Sequence, residues 1–241
     1  MESVSVIIPS RNESFLNQTI FDIQKKFKGD YEIIVTLDGA WAEPVDGVRY
    51  IYNKTARGMR TAINQGVAKA SGKFILKLDA HCMVDKGIDE KLKTVHRDNW
   101  VQTPSRKRFD PYKWVLTDLD KPDTDYMFIG GSFKGHKAND KNRDPELKKK
   151  LIDDTEVFQG SCYFMTKDFF NKLGLLDDKN FGQMGSEAIE IALKCRHASG
   201  RVIINKTTWY AHAHIGAHYS GGRQEREKSR EYIKKLAKQL V

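Results

Sequence analysis

Short apolar runs alternate with amphipathic segments through the first 85 residues, and this alternation constrains the fold more than any other feature of the chain. Residues 3–8, 31–37, 48–52 and 73–78 have the length and the β-branched content of buried strands. Pro9 stops the first of them. Between them, residues 14–27 set Leu16, Ile20, Ile23 and Phe27 on one helical face, with Ser14 available as N-cap. Residues 58–70 do the same with Met59, Ala62, Ile63, Val67 and Ala70, ending at Ser71-Gly72. Strand and helix in turn predict an α/β fold, a mostly parallel sheet flanked by helices.

Open sheets of this kind bind ligands at the carboxyl ends of their strands. Polar residues collect at those ends: Pro9-Ser10-Arg11-Asn12-Glu13 after the first strand, Asp38 after the second, and Asp79 and His81 after the fourth. One site is therefore expected there.

The second half is less periodic. Residues 105–150 carry many charges and three prolines and read as long loops with short elements. A strand is expected over 156–165, helices over 167–173 and 186–198, and a strand over 201–204. Ile233, Leu236 and Leu240 form one stripe on a basic helix after Gly221-Gly222. The division expected is one domain over 1–222, with a nucleotide-binding half (1–85) and an acceptor half (86–222), followed by a tail helix over 223–241.

Asp79-Ala80-His81 carries the chemistry. At the end of an extended strand, residues two apart point the same way. A carboxylate and an imidazole so placed can hold one divalent ion and leave positions open for phosphate oxygens. His212 and His214 alternate in the same manner in Trp209-Tyr210-Ala211-His212-Ala213-His214. By itself the D-x-H triplet also fits a strand-end aspartate that accepts from loop N–H groups.

The segment Ser3 to Val84 resembles the family 2 glycosyltransferases and their GT-A relatives. The motifs are Val6-Ile7-Ile8-Pro9-Ser10-Arg11-Asn12-Glu13, Glu32-Ile33-Ile34-Val35 leading to Asp38-Gly39, and the stretch from Asn53 to His81. Family 2 chains usually carry D-x-D, and His81 departs from it. In this the chain resembles the polypeptide N-acetylgalactosaminyltransferases, which also use D-x-H. Further likeness to them lies in Phe158-Gln159-Gly160-Ser161-Cys162-Tyr163-Phe164, in Gly174-Leu175-Leu176-Asp177 and in Gly185-Ser186-Glu187.

The resemblance implies a GT-A fold and transfer of a sugar from a nucleotide-diphosphate donor, a UDP-sugar, with Mn2+ or Mg2+. It implies that Pro9, Arg11 and Glu13 line the nucleoside pocket and that Asp38 accepts from the base. Asp79 would meet ribose and metal, His81 the metal, and either His212 or His214 would add a ligand. Glu187 would be the catalytic base at the acceptor hydroxyl, with Glu190 one turn on. The two families differ in stereochemistry, the first inverting and the second retaining, so the resemblance leaves the anomeric outcome open. Arg57, Arg60 and Lys77 are candidates for phosphate contact, or else solvated residues on helix and strand edges. His96, His136, His197 and His218 are expected to be surface or core residues.

Several classes are excluded. Cys82, Cys162 and Cys195 form no C-x-x-C pair and read as buried small hydrophobes. No G-x-G-x-x-G or P-loop motif is present, and no apolar run approaches the ~18 residues of a membrane span. The N-terminus reads into a strand without a signal segment, from which a cytoplasmic location is expected. A sugar-1-phosphate nucleotidyltransferase would carry a Gly-rich basic loop where Pro9-Ser10-Arg11-Asn12-Glu13 stands. A non-catalytic polyanion-binding module on the same scaffold is the reading of another class.

The net charge is +9. Residues 103–113 and 137–150 each contribute +3, and 223–241 contributes +4, so the rest is near neutral. A basic acceptor side suits a polyanionic acceptor or an anionic membrane, or serves solubility. The acceptors considered are hydroxymethylated DNA, a glycan, a protein or a lipid. Phe109, Tyr112, Trp114 or Phe133 could stack on a flipped base, and the tail helix could lie on anionic lipid or on the protein's own surface.

Overall fold

The first apolar runs become strands because both faces of the sheet they form are covered. The computed structural model describes residues 2–131, 133–181, 185–213 and 223–240, without the side chains of 223–226 and 240. The first half contains β1 (Val4–Ser10), α1 (Leu16–Lys26), β2 (Tyr31–Asp38), β3 (Val48–Asn53), α2 (Met59–Lys69), β4 (Phe74–Leu78) and β5 (Cys82–Val84). It is followed by α3 (Ile88–Thr94), β6 (Trp100–Asp110), β7 (Val115–Thr117), β8 (Met127–Ile129), β9 (Gly135–Lys137), α4 (Asn139–Arg143) and α5 (Pro145–Lys149). The last part holds β10 (Ile152–Asp154), β11 (Cys162–Thr166), α6 (Lys167–Lys172), α7 (Glu187–His197), β12 (Arg201–His212) and α8 (Arg223–Leu240).

The main sheet runs β10-β12-β6-β11-β4-β1-β2-β3, with β5 added to β12 and β7 to β6. Strands β4, β1, β2 and β3 are parallel, as are β6 and β12. Antiparallel β11 lies between these two groups. Successive residues feed opposite layers. Ile7, Ile34 and Ile75 pack with Met59, Ile63 and Val67 of α2 and Ile189 and Ala192 of α7. Val6, Ile8, Val35 and Leu76 pack with Leu16, Ile20 and Ile23 of α1 and Ile88 and Leu92 of α3.

Three readings of the second half are corrected. Residues 100–110 form an 11-residue strand at the centre of the sheet, where the charges of 105–150 suggest loops. Pro104 is tolerated there because β12 bulges just past its partner Asn205, with pairing resuming at Trp209. The strand expected at 156–165 forms at 162–166, and that expected at 201–204 runs on to His212.

The tail helix packs on the protein itself. Ile233 and Leu236 are buried in the core beside α7, and Tyr232 stacks edge-on against Phe181 at 5.0 Å. Its apolar stripe is thus not available to lipid, the Leu240 side chain lying outside the described residues. Among the described residues no helix is long and apolar enough to cross a membrane. All three cysteines are buried free thiols. His96 is a core residue stacked edge-on against Phe74 and Phe164, and burial lowers its pKa to about 4.

Arg60 is not a solvated edge residue. It is 1% exposed and forms an ion pair with Glu190, which is wholly buried. Arg60 also donates to the Gly185 carbonyl at 2.7 Å and lies 3.7 Å over the Phe181 ring. Glu190 accepts further from Lys194 at 2.6 Å and from the backbone of Asp177 at 2.9 Å. Glu190 is therefore a structural tie between α2 and α7. Removing one member of a buried pair strands the other charge. Arg60→Met should lower stability by about 3–5 kcal/mol in urea denaturation, whereas a loss below about 1 kcal/mol would show that the pair does not anchor α7.

Candidate active site

The polar strand ends converge as the parallel topology requires. Asp79 follows β4, its N–H donating to the Ser161 carbonyl at 2.9 Å. His212 ends β12 and pairs with Cys82 of β5, which sets it beside His81. The Ala213 N–H closes this corner on the His81 carbonyl at 3.1 Å. As a result, donor atoms of Asp79, His81 and His212 all lie within 4.8 Å of one another. His214 is outside the described residues.

Glu13 completes the cluster from the loop after β1. Its carboxylate lies 2.9 Å from His81 Nδ1, so Nδ1–H donates to Glu13 and the Nε2 lone pair is turned inward. That Nε2 lies 3.0 Å from Nε2 of His212, which is itself 3.3 Å from Asp79 Oδ2. Burial opposes charge on His81, but Glu13 and Asp79 outweigh it and raise its pKa. Burial wins at His212, lowering its pKa despite Asp79. Burial would raise the Asp79 pKa, yet Lys77, His212 and His81 hold it well below the ordinary carboxylate range.

This donor set fits a divalent ion. It supplies two imidazole nitrogens and an ionised carboxylate oxygen, and a carboxylate behind one imidazole fixes the tautomer, an arrangement usual for metal-binding histidines. Two neutral imidazoles suit Mn2+ better than Mg2+, which prefers oxygen and retained water.

Asp38 is a buried hub. Its carboxylate accepts from Arg11 Nη2 at 2.7 Å, Asn53 Nδ2 at 3.0 Å, and the backbone N–H groups of Arg57 and Gly58 at 2.7 and 2.8 Å. Those four donors match the four lone-pair positions of a carboxylate. Gly58, with φ of 101°, supplies the backbone turn that brings its N–H to Asp38 ahead of α2. The Arg57 side chain is exposed beside this hub, and Pro9 is covered inside β1. Asp38 thus fixes the loops around the strand ends.

Glu187 opens α7 after Gly185 and Ser186, both with positive φ. It is 8% exposed. Its Oε1 lies 1.9 Å from where a β-carbon on residue 160 would sit, so any side chain at 160 would displace the Glu187 carboxylate. Lys77, fully buried rather than on an edge, donates to the Gly160 carbonyl at 2.6 Å and forms a short contact with Asp79. Sequence reasoning did not single out the exposed Trp41, which joins Asn12, Glu13, Asn17 and Phe21 around a cavity of about 570 Å3 beside the metal cluster. A tryptophan two residues past the strand-end Asp38-Gly39 is the signal that could have found it.

The model of the glycosyl transferase family 2 matches residues 5–174. The chain belongs to that family. Among curated relatives of this family 2 chain is "Putative polypeptide N-acetylgalactosaminyltransferase 13" of Drosophila melanogaster, 28% identical over 229 residues, 84% of this chain and 40% of the relative. "N-acetylgalactosaminyltransferase 7" of the same organism is 22% identical over 188 residues, 72% of this chain and 29% of the relative. The chain thus spans less than half the length of these relatives. A crystal structure of GalNAc-T7 with UDP, GalNAc and Mn2+ shares the fold at TM-score 0.81 and 19% identity, over 96% of this chain and 47% of that one. The GT-A architecture and the likeness to N-acetylgalactosaminyltransferases both agree with the sequence.

If Glu13 orients His81, Glu13→Gln should weaken Mn2+ binding about 10–100-fold in calorimetry, with the fold intact. Unchanged affinity would show that the carboxylate does not serve the cluster.

Proposed function

We propose that this family 2 chain is a metal-dependent glycosyltransferase that uses a UDP-sugar. The observation that carries the reading is the convergence of Asp79, His81 and His212 at the carboxyl ends of the strands. A structural neighbour bound to UDP and Mn2+ supports it. In this reading the three side chains hold Mn2+, or Mg2+ as the other candidate. The bound ion supplies positive charge to the diphosphate as it leaves. Glu13 holds the His81 ring in its working tautomer. Asp38 keeps Arg11 and the 57–58 backbone in place at the nucleoside, and Arg57 offers its exposed cation beside it. The cavity lined by Glu13, Glu43 and Trp41 contains no lysine or arginine, so it suits an uncharged ring better than a phosphate.

Glu187 takes the proton of the acceptor hydroxyl if transfer inverts the anomeric carbon, and orients that hydroxyl if transfer retains it. The basic second half favours a polyanionic acceptor, with hydroxymethylated DNA as the specific proposal. Of the aromatic residues considered for stacking on a base, Tyr112 is the exposed one, at 86% exposure, with its ring edge-on to Phe15 at 5.3 Å. Phe109 is buried against Trp114, Trp114 donates to Asp22 at 3.1 Å, and Phe133 packs on the core. A polypeptide hydroxyl is the second reading, favoured by the names of the relatives.

Glu187→Gln should lower kcat for UDP-sugar turnover about 10²–10⁴-fold while UDP still binds. A variant at the wild-type rate would remove Glu187 from the chemistry, and the anomeric configuration of the product assigns its role. Salt-titrated binding to duplex DNA, with transfer only to hydroxymethylated DNA, would establish the first acceptor. No DNA binding even at low salt would leave the polypeptide.

A further inference from the structure

Lys77 is a cation in the middle of an apolar strand. Its neighbours Ile75, Leu76 and Leu78 are fully buried, and so is Lys77 itself. An unpaired ammonium in such a place costs several kcal/mol, so a lysine here implies fixed anionic partners. Residues 75, 77 and 79 share one face of β4, the face that packs toward α2 and α7. Lys77 therefore points into the layer from which Glu187 emerges, and Asp79 continues the same row at the strand end.

Two partners are bonded directly. Nζ contacts Asp79 Oδ1 and donates to the Gly160 carbonyl at 2.6 Å. The other carboxylate oxygen, Oδ2, is the one that faces His212. Lys77 thus takes one oxygen of Asp79 and leaves the second to the histidine pair. On its other side, the backbone of Gly160 is what the Glu187 carboxylate rests against. Burial would lower the Lys77 pKa, but Asp79 and Glu187 outweigh it and raise it. The cross-strand partner of Lys77 is Tyr163, whose buried hydroxyl has no hydrogen-bond partner among the described residues. Tyr163 therefore leaves Lys77 to Asp79 and the Gly160 carbonyl.

We propose that Lys77 is a positioning residue that joins the two halves of the reaction centre, holding Asp79 as a one-oxygen ligand and fixing the Gly160 turn on which Glu187 sits. The proposal rests on the roles given to Asp79 and Glu187 above. Lys77 touches no substrate in this account, and it acts through the two carboxylates.

The test is a rate cycle on the full chain with Lys77→Met, Lys77→Gln, Glu187→Gln and the double variant Lys77→Met/Glu187→Gln. Thermal melting checks folding, and Lys77→Gln keeps a donor if the methionine variant does not fold. Lys77→Met should lower kcat on the order of 10–100-fold, with the KM for donor changed less than about threefold. At saturating Mn2+, which makes good the weakened Asp79 ligand and leaves only the Glu187 route, the double variant should be no slower than Glu187→Gln alone. Mn2+ titration without donor gives a readout separate from turnover, and Lys77→Met should change the affinity about tenfold or more. Wild-type kcat and Mn2+ affinity in folded Lys77→Met or Lys77→Gln would overturn the proposal, as would multiplicative rate losses in the double variant. An active Glu187→Gln would instead overturn the underlying assignment of Glu187, so the two failures are distinguishable.

Discussion

The pairing of the last strand with two partners is the constraint on which the candidate site depends. Strand β12 runs parallel to β6 along its length and then, past the bulge at Asn205–Trp209, also takes antiparallel β5. Only that second pairing sets His212 opposite Cys82, one residue from His81. The metal cluster therefore joins residues 131 apart in sequence, and neither half of the chain could make it alone. Two of the buried cations reinforce the same union, Arg60 tying α2 to Glu190 on α7 and Lys77 tying β4 to the turn before β11.

How much of this could be read from sequence follows from where the information resides. The strands of the first half are legible because both their faces are buried, so residues such as Val6, Ile7 and Ile8 form unbroken apolar runs. The strand at 100–110 was not legible. Its interior carries Gln102, Ser105 and Arg106, and these find buried partners that only the fold provides. Gln102, for example, donates to the Leu92 carbonyl at 3.1 Å and accepts from Asn205 at 3.0 Å. Asp79 and His81 were visible as a pair because their spacing is local. That His212 joins them was open to within two residues, since a register two residues along changes no side-chain direction in a strand. The burial of Arg60 and Lys77 was not visible at all, because their carboxylate partners lie in distant segments or depend on a turn.

The second half shows where charge alone misleads. Several cations of the basic segments already have anionic partners, Lys107 with Asp123 at 3.2 Å and Lys149 with Glu146 at 2.6 Å among them. Such exposed pairs contribute little to stability, but they reduce the positive field that a net count suggests. The apolar stripe of the tail helix is likewise spent on α7, so that its basic residues, Lys228 and Lys235 among them, are what it presents to solvent. A polyanion would meet a patterned surface rather than a uniform one.

The central claim is that Asp79, His81 and His212 form one metal-dependent nucleotide site. Calorimetry of UDP binding with and without Mn2+, on the wild-type chain and on His212→Ala, tests it most directly. The account predicts tight UDP binding to wild type only when Mn2+ is present, and loss of that dependence in a folded His212→Ala. UDP binding that ignores Mn2+, or that is unchanged by His212→Ala, would contradict it.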